Sequence, residues 1–126
     1  MKFLILAIVA FPSIVFAAPQ CWEVKNLNGQ VALAEDNYQI TADGFRNLTS
    51  RVVFNGKQST VSEWDINCFE TPAMAVMCVK AEPEKVAIEV WRIDVAKGKA
   101  TMSRIRSGFG IFDSAGTFVG DATQCK

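Results

Sequence analysis

The residue types that carry most catalytic and metal chemistry are thinly represented in this sequence of 126 residues, because histidine is absent. Histidine is the commonest general base and metal ligand near neutral pH. A nucleophile would have to rely on Lys, Asp or Glu, and the sequence contains neither a Gly-x-Ser-x-Gly elbow nor a Ser-x-x-Lys motif. We therefore expect a protein that is not an enzyme, that holds no metal ion and that uses no cofactor.

Acidic side chains recur in two segments that favour β-structure, and paired carboxylates could perform acid–base catalysis. Glu63 and Asp65 belong to one segment, and Glu89 and Asp94 belong to the other. Charged residues that alternate with apolar ones usually lie on the solvent-facing side of a sheet. We expect these four carboxylates to be solvated, which leaves catalysis by a carboxylate or a lysine as the weakest functional alternative.

Arginine is a better candidate for binding. Arg46, Arg51, Arg104 and Arg106 make up most of the arginine of the chain. The alternation of a β-strand places Arg104 and Arg106 on the same face of one predicted strand. These side chains could form a patch for an anionic partner or ligand, or they could be solvated and paired with neighbouring acidic groups.

Aromatic residues supply a second set of candidates. Trp64 is flanked by Glu63 and Asp65, so of the three tryptophans it is the best candidate for an interface anchor, with a place in the core as the alternative, whereas Trp91 is expected in the core. Tyr38 could line a pocket or an interface. The predicted binding residues are thus Tyr38, Trp64 and the four arginines named above.

Four cysteines, Cys21, Cys68, Cys78 and Cys125, lie beyond the first seventeen residues. No two of them have the Cys-x-x-Cys spacing of redox and zinc sites. An even number in a small exported domain predicts two disulfides. We favour the nested pairing, 21 with 125 and 68 with 78, because the second pair flanks a turn at 70–73 and could face each other across a hairpin. The pairings 21–68 with 78–125, and 21–78 with 68–125, remain open.

The first seventeen residues have the pattern of a cleaved signal peptide. Lys2 precedes the unbroken apolar run 3–11, and Val15-Phe16-Ala17 offers a cleavage site. The apolar stretch is too short for a membrane helix, so we expect no stable membrane anchor. Gln20 argues against lipidation of Cys21. The mature domain is predicted to span 18–126 and to work in the periplasm or outside the cell.

Short apolar and β-branched runs are separated by turn residues about every ten positions, which is typical of an antiparallel sandwich or barrel. We predict one all-β domain, a small antiparallel β-barrel or β-sandwich of about eight short strands. Asn28-Gly29 and Asn55-Gly56 predict two hairpin turns. In the segment 85–95 the apolar side is expected to change face at Trp91.

The charges balance, with 13 Lys and Arg against 13 Asp and Glu, which argues against a nucleic-acid partner. In size, export signal and paired cysteines, the chain resembles the small periplasmic β-barrel proteins that include bacterial lysozyme inhibitors. It also resembles the small immunity proteins that neutralise periplasmic toxins. This likeness of architecture implies a protein that binds another protein, a cell-wall-directed enzyme or a toxin, and it assigns no site. The alternative is a barrel for a small apolar or lipid-like ligand, indicated by Met74, Met77 and Met102.

Overall fold

The computed structural model describes residues 18–45, 47–62 and 66–126. In this part of the chain nine β-strands form one antiparallel sheet, no α-helix occurs, and three short 3-10 turns span Ala34–Asp36, Gly56–Gln58 and Gly110–Phe112. The all-β prediction is confirmed. The predicted signal peptide, Arg46 and Trp64 lie outside the described residues. The strands are β1 (Gln20–Leu33), β2 (Ile40–Phe45), β3 (Ser50–Phe54), β4 (Thr60–Val61), β5 (Asn67–Thr71), β6 (Ala75–Glu82), β7 (Lys85–Asp94), β8 (Lys99–Ser107) and β9 (Ser114–Gln124).

The sheet curls into a nearly closed barrel, which decides between the two predicted architectures. Its strand order is β4-β3-β1-β9-β8-β7-β6-β5. A bridge between Ser59 and Cys68 brings β5 back beside β4. The long strand β1 has two partners on one side, because β3 pairs with its first half and β2 with its second half.

Large apolar side chains fill the barrel. Phe118 on β9 and Val24 on β1 are fully buried, and Trp91 on β7 is 2% exposed, as predicted for this tryptophan. The rings of Phe45 and Phe118 lie 5.1 Å apart between centroids. Burying each side chain of this size stabilises the fold by about 1.5–3 kcal/mol. Other members of the core include Trp22, Leu27, Val52, Phe54, Val61, Ile93 and Met102.

The predicted hairpin at Asn28-Gly29 is wrong, because β1 runs straight through these residues. The backbone of Asn26 adopts a φ of +56°, and the pairing of β1 with β9 shifts register between Lys25 and Asn28. A Cβ on Gly29 would lie 1.9 Å from the carbonyl oxygen of Thr117 on β9. Glycine at this position therefore allows β1 and β9 to approach closely beside a bulge. The chain turns later, at 34–39.

The second Asn-Gly pair does lie in a turn. β3 and β4 pair across it, with Val52 opposite Val61 and Val53 opposite Thr60. Gly56 has a φ of +56°, a conformation that glycine adopts without steric cost. This hairpin prediction is confirmed, although the returning strand is much shorter than the predicted segment 58–66.

Strand β7 keeps one inner face along its whole length, so the predicted change of face at Trp91 is wrong. Its register with β6 and with β8 is continuous. The aliphatic residues that suggested a change are half-buried on the outer face, where β6 and β8 flank them. The buried inner residues are Ala87, Glu89, Trp91 and Ile93, and the half-buried outer ones are Val86, Ile88 and Val90.

Both disulfides of the nested pairing are present, so this prediction is confirmed. Cys68 and Cys78 face each other across β5 and β6 with their Cα atoms 4.0 Å apart. Cys21 and Cys125 join the start of β1 to the segment that follows β9, with Cα atoms 5.4 Å apart. The backbone amide of Cys125 donates a hydrogen bond to the carbonyl of Cys21 at 3.0 Å. The bridges fit an oxidising environment.

Candidate functional site

Two of the predicted binding arginines lie at one end of the barrel. Along β8 the inward residues are Ala100, Met102, Arg104 and Arg106, so the last two share a face as expected. Both are half-buried, because the face they share lines the inside of the barrel near its end rather than its outer wall. Beyond Arg106 the chain leaves β8 and enters the turn that leads to β9.

Glu89 on β7 lies directly opposite Arg104 in the register of the two strands. The expectation that Glu89 is solvated is wrong, since it is only 2% exposed. Its Oε2 accepts a hydrogen bond from the indole Nε1 of Trp91 at 3.0 Å. Its Oε1 and the Nε of Arg104 are both buried, and neither has a hydrogen-bond partner among the described residues. An unpaired acceptor and an unpaired donor thus occur on neighbouring side chains.

Both residues line a small cavity between β7, β8 and the end of β2. Its volume is about 70 Å³, well below the roughly 300–1,000 Å³ of pockets that hold whole organic ligands. The walls are mainly apolar and include Leu27, Phe45 and Met102. The cavity therefore suits one small functional group, surrounded by carbon and facing two charged side chains.

Charges of both signs surround Arg104, and their net effect together with burial lowers its pKa. Burial lowers the pKa of Arg104, and the neighbouring positive charge of Arg106 lowers it further. The negative charges of Glu89 and Asp43 act in the opposite direction. The guanidinium also lies over the ring of Phe45, 5.6 Å from the centroid, where the ring face attracts a cation. Arg104 remains charged, because arginine gives up its proton only far above physiological pH.

Exposed apolar side chains gather at the same end of the barrel. The turn 34–39 follows the last residue of β1, Leu33, and the turn 108–113 precedes the first residue of β9, Ser114, which pairs with Leu33. The backbone amide of Ala34 donates a hydrogen bond to the carbonyl of Asp113 at 2.9 Å, which joins the two turns. We call the four side chains here the apolar rim: Tyr38 (57% exposed), Ile40 (73%), Ile111 (59%) and Phe112 (65%).

Tyr38 is held in a backbone conformation that aromatic residues seldom adopt. Asn37 and Tyr38 have φ angles of +54° and +59°. The left-handed region costs a residue with a Cβ about 1–2 kcal/mol, and such strain concentrates at functional sites. A hydrogen bond from the Tyr38 amide to the carbonyl of Leu33, 2.8 Å long, closes the turn.

The other predicted binding residues are not brought to this end. Arg51 is exposed on the outer face of β3, and its guanidinium lies 3.5 Å from a carboxylate oxygen of Glu23, as expected for a solvated, paired arginine. Its strand partner Glu23 pairs in turn with Thr123, near the opposite end of the barrel. Arg46 and Trp64 fall outside the described residues. Arg104, Arg106 and Tyr38 thus lie at one end, and Arg51 lies at the other.

Sequence analysis missed Glu89 as a site residue. The signal was present, because Ala87, Trp91 and Ile93 have the same strand parity as Glu89 and are apolar. A single carboxylate on an otherwise apolar face indicates a buried charge, and buried charges are candidates for functional sites.

Comparison with protein-family models, with characterised protein sequences and with solved structures finds no match. The site is therefore interpreted from its own geometry. Within residues 18–45, 47–62 and 66–126, no three His, Cys, Asp or Glu side chains are grouped so that they could hold a metal ion. In the same part of the chain, there is no helix with the length and apolar character needed to cross a membrane.

Proposed function

We propose that this protein is an exported, non-catalytic binding protein that acts on another protein, as an inhibitor or immunity-type protein in the periplasm or outside the cell. The observation that supports this proposal is the apolar rim. Three of its four large apolar side chains lie on two joined turns at one end of the barrel, and the fourth, Ile40, is the first residue of β2; each of the four is more than half exposed. Contiguous exposed apolar surface on a small domain is typical of a protein–protein interface.

The composition of this end supports the same function. Energetically important interface residues are enriched in tyrosine, tryptophan and arginine, which bury apolar area and carry polar tips. Tyr38 and Phe112 supply aromatic anchors, while Arg104 and Arg106 supply charge just inside the barrel. The disulfide between Cys21 and Cys125 ties the start of β1 to the end of β9, and these two strands lead into and out of the turns, so the frame that carries the apolar rim is restrained before a partner binds.

The filled interior favours a protein partner over an apolar or lipid-like ligand. Trp22, Trp91 and Phe118 occupy the space that such a ligand would need. The cavity beside Glu89 has a volume of about 70 Å³, too little for an acyl chain. Met102, one of the residues that suggested ligand binding, is 3% exposed and packs in the core.

Inhibition of a cell-wall-directed enzyme is the most direct test. Purified 18–126, with both disulfides formed, is added to a panel of lysozymes and other peptidoglycan hydrolases, and the rate of cell-wall lysis is measured. We expect dose-dependent inhibition of at least one hydrolase. Phe112→Ser should weaken this inhibition by about 30-fold or more, the effect of losing an anchor worth about 2 kcal/mol.

Val95→Ser is the matched control, because Val95 is also exposed (55%) but lies in the turn after β7 at the opposite end of the barrel. Both variants remove an exposed apolar side chain, so both should fold normally. Equal effects of the two substitutions would contradict a role for the apolar rim. If no hydrolase is inhibited, native mass spectrometry of the protein isolated from its own source distinguishes an immunity-type complex from a chain carrying a small ligand or from a chain alone.

A further inference from the structure

We propose that the cavity between Glu89 and Arg104 binds one uncharged amide group of the binding partner, which donates to Glu89 and accepts from Arg104. This inference deepens the proposed function, on which it rests for the molecule that carries the amide. It stands on three observations: a carboxylate 2% exposed, a half-buried arginine opposite it in the strand register whose Nε is buried, and a cavity that both residues line.

The two unpaired atoms define the complementary group. The Oε1 of Glu89 is a buried acceptor, and the Nε–H of Arg104 is a buried donor. These atoms do not pair with each other although their residues are cross-strand neighbours. A buried polar atom without a partner destabilises a protein, so both atoms favour a group that satisfies them together. An amide offers an N–H donor and a carbonyl acceptor on two atoms bonded to the same carbon.

The charges in the cavity favour a neutral group. Glu89 and Asp43 act on Arg104 as negative charges, and Arg106 acts as a second positive charge. A bound carboxylate would meet the unpaired oxygen of Glu89, and a bound ammonium would meet the guanidinium of Arg104. In an apolar surrounding such like-charge contacts are strongly unfavourable. An amide satisfies both atoms without adding charge.

The size and walls of the cavity fit the carbon part of a small amide. The space is about 70 Å³, and Leu27, Phe45 and Met102 line it with carbon and sulfur atoms. A carboxamide side chain of asparagine or glutamine, or an acetamido group, presents a short apolar stem next to the amide. The proposal therefore specifies an amide group that protrudes from the partner and inserts at the end of the barrel, while the apolar rim contacts the surface of the partner around that amide.

The test uses acetamide and N-methylacetamide as probes and the tryptophan indole N–H resonances as readout. The indole of Trp91 lines the cavity and donates to Glu89, so its resonance should move when the cavity is occupied. Trp22 is the internal control, because its buried Nε1 has no hydrogen-bond partner within the described residues and it does not line this cavity. Trp91→Phe assigns the Trp91 signal. Both amides should give saturable shifts at Trp91 in the millimolar range and none at Trp22.

Charged probes and two variants complete the test. Acetate and methylammonium should bind at least tenfold more weakly than acetamide. Glu89→Leu should abolish the saturable shift, whereas Glu84→Leu, the same substitution at an exposed position in the turn before β7, should preserve it. If Glu89→Leu does not fold, Arg104→Met replaces it.

Three results would overturn the proposal: no saturable shift with either amide, equal binding of acetate and acetamide, or equal movement of the Trp22 and Trp91 signals. Each of them would mean that the cavity holds only solvent or that the signals do not report selective binding of an amide in the cavity. Because the probes are small molecules, any of these results leaves the hydrolase measurement and its Phe112→Ser variant as an independent test of the proposed function.

Discussion

Glu89 is the clearest case among the described residues of a side chain that the stability of the fold does not explain. A carboxylate on the inner face of a filled barrel loses its hydration, and here one indole hydrogen bond replaces part of it. Replacing a buried charged group with an apolar residue of similar volume is often neutral or stabilising. A barrel selected for stability alone would place an apolar residue at this position. The proposed binding of an amide group by Glu89 and Arg104 accounts for a charge at this position.

Gly29 is a second residue whose identity depends on a neighbour that is distant in the sequence. We expect Gly29→Ala to lower the free energy of unfolding by more than about 2 kcal/mol, because the added Cβ would lie 1.9 Å from the Thr117 carbonyl oxygen and β1 would have to move away from β9. Denaturation by urea measures the loss. Gly56→Ala is the control, since nothing lies within 4 Å of its added Cβ and only the backbone strain of about 1 kcal/mol applies. A loss at Gly29 no larger than at Gly56 would contradict the close approach.

The bulge of β1 lies between the part of the strand that pairs with β3 and the part that pairs with β2. Its irregular residue, Asn26, is anchored from β9, because the Asn26 side-chain amide donates to Oδ2 of Asp121 at 3.0 Å. The ammonium of Lys99 on β8 donates to the other oxygen of the same carboxylate at 2.6 Å. These two hydrogen bonds and the charge of Lys99 lower the pKa of Asp121 below its ordinary value.

The lowered pKa of Asp121 makes the stability of the fold depend on pH in a predictable direction. A carboxyl group with a lower pKa in the folded state stabilises the fold above its unfolded pKa, and this contribution is lost as the pH falls through the folded pKa. We therefore expect Asp121→Asn to be less stable than the native chain at pH 7, with a difference that begins to shrink below about pH 4 and disappears only once the pH has fallen through the lower, folded pKa. Thermal melts from pH 7 to pH 2 measure the difference. Asp36→Asn, in an exposed turn, is the control, and a constant difference at all pH values would argue against the carboxylate.

Elements could be predicted from the sequence where local residues decide the conformation. Alternation and turn residues predict an all-β chain, and the turn between Cys68 and Cys78 predicts their pairing. Asn28-Gly29 is wrongly predicted to be a turn, because its conformation depends on pairing with β9, which is almost ninety residues away in the chain. Closure of the sheet likewise depends on a contact between distant residues, Ser59 and Cys68, and no local pattern specifies it.

The site was less predictable than the fold. The shared face of Arg104 and Arg106 follows from alternation alone, but whether that face is inside or outside depends on how the sheet curls. The wrong assignment of Glu89 has the same origin, because its outer neighbours Ile88 and Val90 are as apolar as inward residues usually are. Joining of the turns that carry Tyr38 and Phe112 requires the pairing of β1 with β9, which the sequence does not reveal.

At the scale of the whole molecule, the two disulfides constrain very different lengths of chain. The bridge from Cys21 to Cys125 spans 104 residues and ties the two ends of the folded domain together. The bridge from Cys68 to Cys78 spans 10 residues within one hairpin. In the chain-entropy model the long loop stabilises the fold by about 4.7 kcal/mol and the short one by about 2.7 kcal/mol. This difference in stabilisation arises in the unfolded state, because in the folded state both bridges join segments that are already hydrogen-bonded to each other.

This difference predicts how each bridge affects unfolding by urea. Replacing Cys21 and Cys125 with alanine frees the whole unfolded chain, so the unfolded state exposes more surface and the slope of the free energy of unfolding against urea concentration should rise. Replacing Cys68 and Cys78 with alanine frees only a hairpin, so its slope should stay close to that of the native chain. The slope is a sharper measure than the total loss of stability, because Cys68 and Cys78 are buried and their replacement also removes packing. An equal rise in slope for both double variants would show that the long bridge does not restrain the unfolded chain in the way its span of 104 residues implies.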